Sequence, residues 1–337
     1  MKPSIFQFEG CLIGQCLGDA LGFPVEGRNP NICHDYVLDY IKKTPNRMLG
    51  RVHFPFGQYT DDSQLARELI QSYVENNGEF DPELYADRIA SIFAENRIVG
   101  RGFATHQAAH NLINGLSWEE SGVPPPSAGN GSAMRAAPIG LFFFDNPKRL
   151  VKGAIDQGRI THTDPRCNAG AITIAGAVAL ALCREKIDTF EFLNNLIKWV
   201  KPVEKTITQG IENLTEWLKL SPDDAVKQIA PFGGDPQFQD NFWQNISPFV
   251  VCSVLWSLYA FLRTPNNYLE TISTAIGVGG DVDTTAAMAG AISGAFLGIK
   301  AIPANLAHHV NDQSTWGYKE LRDLAAKCYK LKLLVQY

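Results

Sequence analysis

Two short acidic clusters are the residues of this chain whose types and spacing could do chemistry. Thr60-Asp61-Asp62 stands just ahead of Leu65, Leu69 and Tyr73, which are spaced for one face of a helix. Asp281-Val282-Asp283-Thr284 follows Gly279-Gly280 and opens a run of small residues. Asp and Thr at helix starts are common caps, and carboxylates there interact well with the helix dipole. Capping explains one acid per helix. It does not explain four aspartates in two tight groups, each with an adjoining threonine, where like charges repel. A divalent cation removes that repulsion, and carboxylate and hydroxyl oxygens without His or Cys suit Mg²⁺ or Mn²⁺ rather than zinc. Four carboxylates are enough for two ions if the clusters meet in space. On spacing alone, capping and metal binding stand side by side.

Glycine loops are the second signal. Gly129-Asn130-Gly131-Ser132 precedes Ala133-Met134-Arg135, and Gly277-Val278-Gly279-Gly280 precedes the second acidic cluster. Backbone N–H groups in such turns, with helix N-termini behind them, can hold phosphate oxygens. Neither loop is a P-loop or a dinucleotide fingerprint, and each taken alone reads as a turn. His162, in Ile160-Thr161-His162-Thr163-Asp164-Pro165, sits in a loop ahead of an apolar helix. An imidazole there could touch a ligand phosphate or ribose, or cap a helix. His106 and His110 are four apart but lack the glutamate of a HExxH zinc site, so they read as ordinary helix residues.

The elements that must position these residues are helical. Leu12, Cys16 and Ala20 recur every four residues, as do Val254, Leu258 and Leu262. Arg51 to Phe56 is the one strand candidate, and Pro55 weakens it. The periodicity predicts an all-α chain of roughly fifteen helices. Loops are expected over Asn29–Gln58, Ser117–Gly131 and Ser221–Gln244, with no repeat and no domain boundary. Small residues cover nearly every face of Thr284 to Ala295, which places that helix at the centre of the bundle. Gly290 and Gly294 lower its helix propensity, so packing must offset the cost.

Composition excludes several classes. The 337 residues carry 30 Lys+Arg against 35 Asp+Glu, a net charge of −5, which is no basic footprint for nucleic acid. Seven cysteines, an odd number without a CxxC pair, argue against a disulfide framework and a zinc ribbon, and for reduced thiols in a cytoplasmic protein. The longest apolar run, Ala169 to Cys183, is shorter than the ~20 residues that span a bilayer. Glu9 and Gly10 interrupt any apolar N-terminal stretch. A soluble protein without a membrane partner is expected.

Five motifs together resemble the ADP-ribosylglycohydrolase family. They are Gly14-Gln15-Cys16-Leu17-Gly18-Asp19-Ala20-Leu21-Gly22 with Val25-Glu26, then Tyr59-Thr60-Asp61-Asp62-Ser63. Gly129 to Arg135, Ile160-Thr161-His162 and Gly279 to Thr285 follow in the family's order. The resemblance implies one all-α domain over residues 1–337 with a central binuclear centre of two Mg²⁺ or Mn²⁺. It implies Thr60, Asp61 and Asp62 as metal ligands from one side and Asp281, Asp283 and Thr284 from the other. Gly129, Asn130, Gly131, Ser132, Met134, Arg135 and His162 would contact ADP-ribose. Glu26 and Asp62 would be the catalytic residues. Without the resemblance, Glu26 reads as a surface ion pair.

The activity so implied is hydrolysis of the glycosidic bond between ADP-ribose and an acceptor. The partner would be an ADP-ribosylated protein or a small-molecule ADP-ribose conjugate. Arginine-directed bacterial members carry an aspartate after an Arg-x-Val stretch; here the run is Arg97-Ile98-Val99-Gly100-Arg101-Gly102, with Gly100 in that place. This opens serine, an ester or another acceptor. Two other readings remain: a non-catalytic ADP-ribose-binding or crystallin-like member, and a metal hydrolase acting on another nucleotide derivative.

Overall fold

A computed structural model of the chain describes residues 2–43, 50–51, 53–234 and 243–334. Among them seventeen α-helices follow one another. The first half holds α1 (Ile5–Gly22), α2 (Pro30–Tyr36), α3 (Asp61–Glu75), α4 (Pro82–Ala94), α5 (Phe103–Ile113), α6 (Gly131–Met134), α7 (Ala137–Phe143), α8 (Pro147–Arg159) and α9 (Pro165–Leu182). The second half holds α10 (Thr189–Val200), α11 (Lys205–Trp217), α12 (Pro222–Ile229), α13 (Val250–Arg263), α14 (Tyr268–Gly277), α15 (Val282–Leu297), α16 (Ala304–Ala307) and α17 (Tyr318–Leu334). No strand forms among the described residues; a few isolated bridges tie loops together.

Helices α1 and α15 make the axis of the bundle, and glycine spacing decides how. Gly10, Gly14, Gly18 and Gly22 recur every four residues and form a flat stripe on α1. A Cβ at Gly14 would lie 2.4 Å from the Gly290 carbonyl oxygen, and one at Gly10 would lie 2.3 Å from that of Gly294. At Gly18 the distance to the Ala286 carbonyl oxygen would be 2.1 Å. The backbones therefore touch, as only small residues allow. This is the compensation that Gly290 and Gly294 require, and it lays Asp19 of α1 beside Asp283 of α15. Helices α9, α13 and α14 pack around α15, which is buried along nearly its whole length.

Three sequence expectations change. Asn29–Gln58 is not all loop: Asn29 caps α2, Pro30 starts it, and a π-helical turn over Val37–Ile41 continues it. The Arg51–Phe56 stretch is turn rather than strand where described, as Pro55 foretold. Within Ser221–Gln244, Ser221 caps α12, whose first turn Pro222 favours. Residues 235–242 of that stretch lie outside the described residues. Helix α9 is long and apolar enough to cross a membrane by length and composition, yet 78% of it is buried inside the fold. It is a core helix, begun at Pro165 and capped by Asp164.

Candidate metal centre and ligand cavity

The two acidic clusters meet. Thr60 precedes α3, whose first residues are Asp61 and Asp62; Asp281 precedes α15, which carries Asp283 and Thr284 in its first turn. Neither Thr60 nor Asp281 caps its own helix through its side chain. Their oxygens turn instead toward each other. Asp62 Oδ2 lies 3.0 Å from the Thr60 hydroxyl and accepts from the Thr284 hydroxyl at 3.3 Å, so one carboxylate oxygen joins the two clusters. Capping, the competing reading of the sequence, does not describe this geometry.

Carboxylate oxygens of Asp19, Asp62 and Asp283 lie within 4.8 Å of one another, and so do those of Glu26, Asp281 and Asp283. Asp283 belongs to both groups. Burial raises the pKa of every aspartate here: Asp281 to about 6, Asp19 to about 7, and Asp61, Asp62 and Asp283 well above the ordinary carboxylate range. Repulsion from the neighbouring acids adds to the rise at Asp61, Asp62, Asp281 and Asp283. Asp62 Oδ1 is buried without a hydrogen-bond partner. An all-oxygen donor set, uncompensated repulsion and an orphaned carboxylate oxygen all fit hard divalent cations.

Asp19 is the residue whose role the sequence concealed. It lies one turn from the end of α1, fully buried, and caps α3 from another helix. Its Oδ2 accepts from the Ser63 hydroxyl at 2.7 Å and from the Ser63 amide at 3.1 Å. Its Oδ1 accepts from the Thr60 amide at 3.0 Å and lies 3.0 Å from the Thr60 hydroxyl, whose single proton goes either to it or to Asp62. A carboxylate with its lone pairs so occupied orients the Thr60–Ser63 turn rather than competing for a cation. Asn130 does the same for the second cluster, donating to Asp281 Oδ2 at 2.6 Å and to Ser253 Oγ at 3.0 Å. Gln15, also buried, donates to the carbonyls of Asp62 and Met134 and so braces α3 against α6.

Beyond the carboxylates opens a cavity of about 520 Å³. Glu26, Asp61, Asp62, Asp281, Asp283 and Thr284 line it together with Gly129, Asn130, Gly131, Met134 and His162. Glu26 is partly exposed at its mouth and ion-paired with Arg51. Gly100, Arg101 and Phe103 form part of the rim. Gly100 has φ +79°, and a Cβ there would lie 3.1 Å from Thr60 Cβ and 3.3 Å from Asp61 Oδ1. Only glycine lets this loop press on the first cluster. A wider depression of about 650 Å³ beside His308 and Trp316 holds none of the acidic clusters.

Ser132 and Arg135 do not face the cavity. The Ser132 hydroxyl donates to the Cys167 carbonyl, and Arg135 is fully buried against Gln157 and Thr161. Thr60 is likewise beneath the lining, tied to Asp19. His106 and His110 approach through their Nε2 atoms at 3.2 Å on the outer face of α5, away from the clusters.

With this geometry established, comparison with known proteins gives one answer. The ADP-ribosylglycohydrolase family model matches residues 2–336. The chain belongs to the ADP-ribosylglycohydrolase family. ADP-ribosylhydrolase ARH3 of Xenopus tropicalis is 31% identical, covering 98% of this chain and 97% of that one. ADP-ribosylarginine hydrolase Tri1 of Pseudomonas putida is 27% identical over 90% of this chain and 73% of its own. The solved structure of an ADP-ribosylglycohydrolase-related protein complex shares the fold, with a TM-score of 0.70 at 22% identity over 98% of this chain and 99% of that chain. The all-α, single-domain ADP-ribosylglycohydrolase fold expected from the motifs is thus the fold of the chain.

Proposed function

We propose that the protein is a metal-dependent hydrolase that cleaves the glycosidic bond between ADP-ribose and an acceptor and releases ADP-ribose. The observation that carries this reading is the convergence of both acidic clusters, with Glu26, in the lining of one cavity of about 520 Å³. Thr60, Asp61, Asp62, Asp281, Asp283 and Thr284 would hold two Mg²⁺ or Mn²⁺ ions. Bound there, such ions supply Lewis acidity toward ribose hydroxyls and a water of lowered pKa. Glu26 is the carboxylate at the solvent side of the cluster. It is placed to take a proton from the attacking water or to give one to the leaving group as the bond opens through an oxocarbenium-like state. Asp62, which joins the clusters, holds both threonine hydroxyls in register for this chemistry.

The rim suggests the acceptor. A guanidinium leaving group would be favoured by a carboxylate beside the first cluster. Here the flat Gly100 backbone and the cationic Arg101 occupy that edge. A neutral linkage, to serine or through an ester, suits it better. The relatives include both an ARH3 and a protein named ADP-ribosylarginine hydrolase, so their names do not decide the linkage.

The test is release of free ADP-ribose from arginine-, serine- and ester-linked substrates, with Mg²⁺, Mn²⁺ or EDTA. Metal-dependent release from a neutral linkage is expected. AMP as the product would sink the glycosidic reading in favour of phosphoester cleavage, and silence across the panel with ADP-ribose still bound would favour a binder.

A further inference from the structure

Behind His162 the wall of the cavity is built around a buried cation. Arg135 is fully buried, and no carboxylate pairs with it among the described residues. Neutral groups accept from its Nε and Nη2, while Nη1 is buried without a hydrogen-bond partner. Nε donates to Gln157 Oε1 at 2.9 Å, and Nη2 donates to the Gln157 carbonyl at 2.8 Å and to Thr161 Oγ1 at 2.7 Å. Thr161 Oγ1 in turn lies 2.7 Å from His162 Nδ1. Thr161 is itself fully buried.

A hydroxyl has one proton and two lone pairs. Arg135 has no lone pair to offer, so Thr161 must accept from it. If the imidazole carried its proton on Nδ1, Thr161 would accept twice and its own proton would be buried without an acceptor, a costly arrangement. The satisfied arrangement runs in one direction: Arg135 donates to Thr161, Thr161 donates to Nδ1, and the imidazole proton sits on Nε2. The nearby guanidinium and burial also keep the ring neutral, holding His162 down at about 3.

The ring is fixed in place as well as in tautomer. Val123 donates its amide to the Thr161 carbonyl and accepts from the Thr163 amide, clamping the backbone on both sides of His162. Gly131 leaves the space the ring occupies, since a Cβ there would lie 2.7 Å from His162 Cε1. His162 lines the cavity, and its Nε2 has no hydrogen-bond partner among the described residues.

We propose that Arg135 and Thr161 are positioning residues that lock His162 as a neutral Nε2–H donor aimed at a phosphate oxygen of the substrate's diphosphate. The inference rests on the ADP-ribose reading above. Arg135 thus serves the ligand without touching it: it polarises the chain of hydrogen bonds and supplies positive field to a cavity that the acidic cluster also lines. A phosphate oxygen, an anion that accepts and cannot donate, is the group such a donor selects.

The full chain with ¹⁵N-labelled histidine tests this, His162 being assigned by loss of its signals in His162→Gln. In the wild type, Nδ1 is expected to be unprotonated and Nε2 protonated at neutral pH, and ADP-ribose should shift the Nε2 signal. A proton on Nδ1 overturns the proposal without any variant. Thr161→Val should break the single tautomer and weaken ADP-ribose binding about ten-fold, the loss of one oriented hydrogen bond to a charged group. Thr161→Ser should restore both. Thr161→Val with tautomer and affinity unchanged overturns the proposal. Hydrolysis failing while ADP-ribose binds and shifts Nε2 would remove the hydrolase reading and leave the relay standing; no ADP-ribose binding by the wild type would remove both.

Discussion

The acidic cluster and the His162 wall of the same cavity solve opposite electrostatic problems. In the cluster five carboxylates, Glu26, Asp61, Asp62, Asp281 and Asp283, crowd together and leave Asp62 Oδ1 unsatisfied. Behind His162 a buried guanidinium donates from Nε and Nη2 to neutral acceptors and keeps Nη1 unpartnered, with a neutral imidazole in front of it. The acidic cluster is incomplete without cations; the His162 side is preorganised as a donor. A negatively charged diphosphate attached to a sugar needs both, and neither alone would distinguish it from a simple metal chelator or a simple anion.

The largest effect should come from the acidic cluster. Asp281→Asn with Asp283→Asn removes two ligands, so the several kcal/mol expected from metal polarisation disappear and release of ADP-ribose falls by about 10³-fold or more. The same variant should melt no lower than the wild type in EDTA, because it also removes buried like charges. A lower melting temperature in EDTA would mean that the carboxylates stabilise the fold by themselves, and the contrast between the cluster and the His162 wall would fail.

Asp19→Asn should come next. It keeps the shape of a side chain that touches no substrate but turns an acceptor into a donor facing Thr60 and Ser63. Mn²⁺ affinity is expected to fall about 10–100-fold, as for other groups that orient metal ligands, while ADP-ribose affinity at the His162 wall changes little. Titration of Mn²⁺ by electron paramagnetic resonance checks the first and calorimetry with ADP-ribose the second.

Stability against pH sharpens the comparison further. An unfolded aspartate titrates near ~3.9, whereas in the fold Asp281 titrates at about 6 and Asp19 at about 7. Between these values the folded chain binds protons that the unfolded chain has released. The contribution is fully present below the unfolded value and is lost as pH rises through the folded one. In EDTA the melting temperature should therefore fall from about pH 5 to about pH 8. Saturating Mg²⁺ should flatten or reverse the slope, because the ion binds the ionised carboxylates. A slope that EDTA leaves unchanged would contradict the metal centre.

The smallest effect belongs to the rim. Gly100→Ala places a Cβ 3.1 Å from Thr60 at φ +79° and should cost about 1–2 kcal/mol in thermal stability from backbone strain. ADP-ribose affinity at the His162 wall should be unaffected, and calorimetry would show it.

Much of the site was legible because its chemistry is local. Asp61 and Asp62, and Asp281 and Asp283, stand next to or two apart from each other, so their repulsion is visible without a fold. What stayed hidden is carried by residues acting across the chain. Asp19 sits on a helix remote in sequence from Thr60, and nothing in its local pattern says that it caps another helix. Arg135 lies in a motif associated with the ligand, yet its guanidinium turns into the core. Asn130 reads as a phosphate-loop residue; it lines the cavity and also holds Asp281. In each case an ordinary polar residue gains its role from a partner brought near by packing.

The sequence by itself determined that the chain is helical, that two carboxylate clusters open two helices, and that small residues pave one helix at the centre. Periodicity, charge spacing and side-chain volume are properties of short stretches, so they survive without a fold. Tertiary structure alone decided that the glycine stripe of α1 faces Gly290 and Gly294, and so that the clusters, more than 200 residues apart, share Asp62. Backbone contact between two smooth helices is set by which surfaces can approach closely, and that is a property of pairs. The same holds for the proton on His162, which depends on Arg135 reaching it through a single hydroxyl.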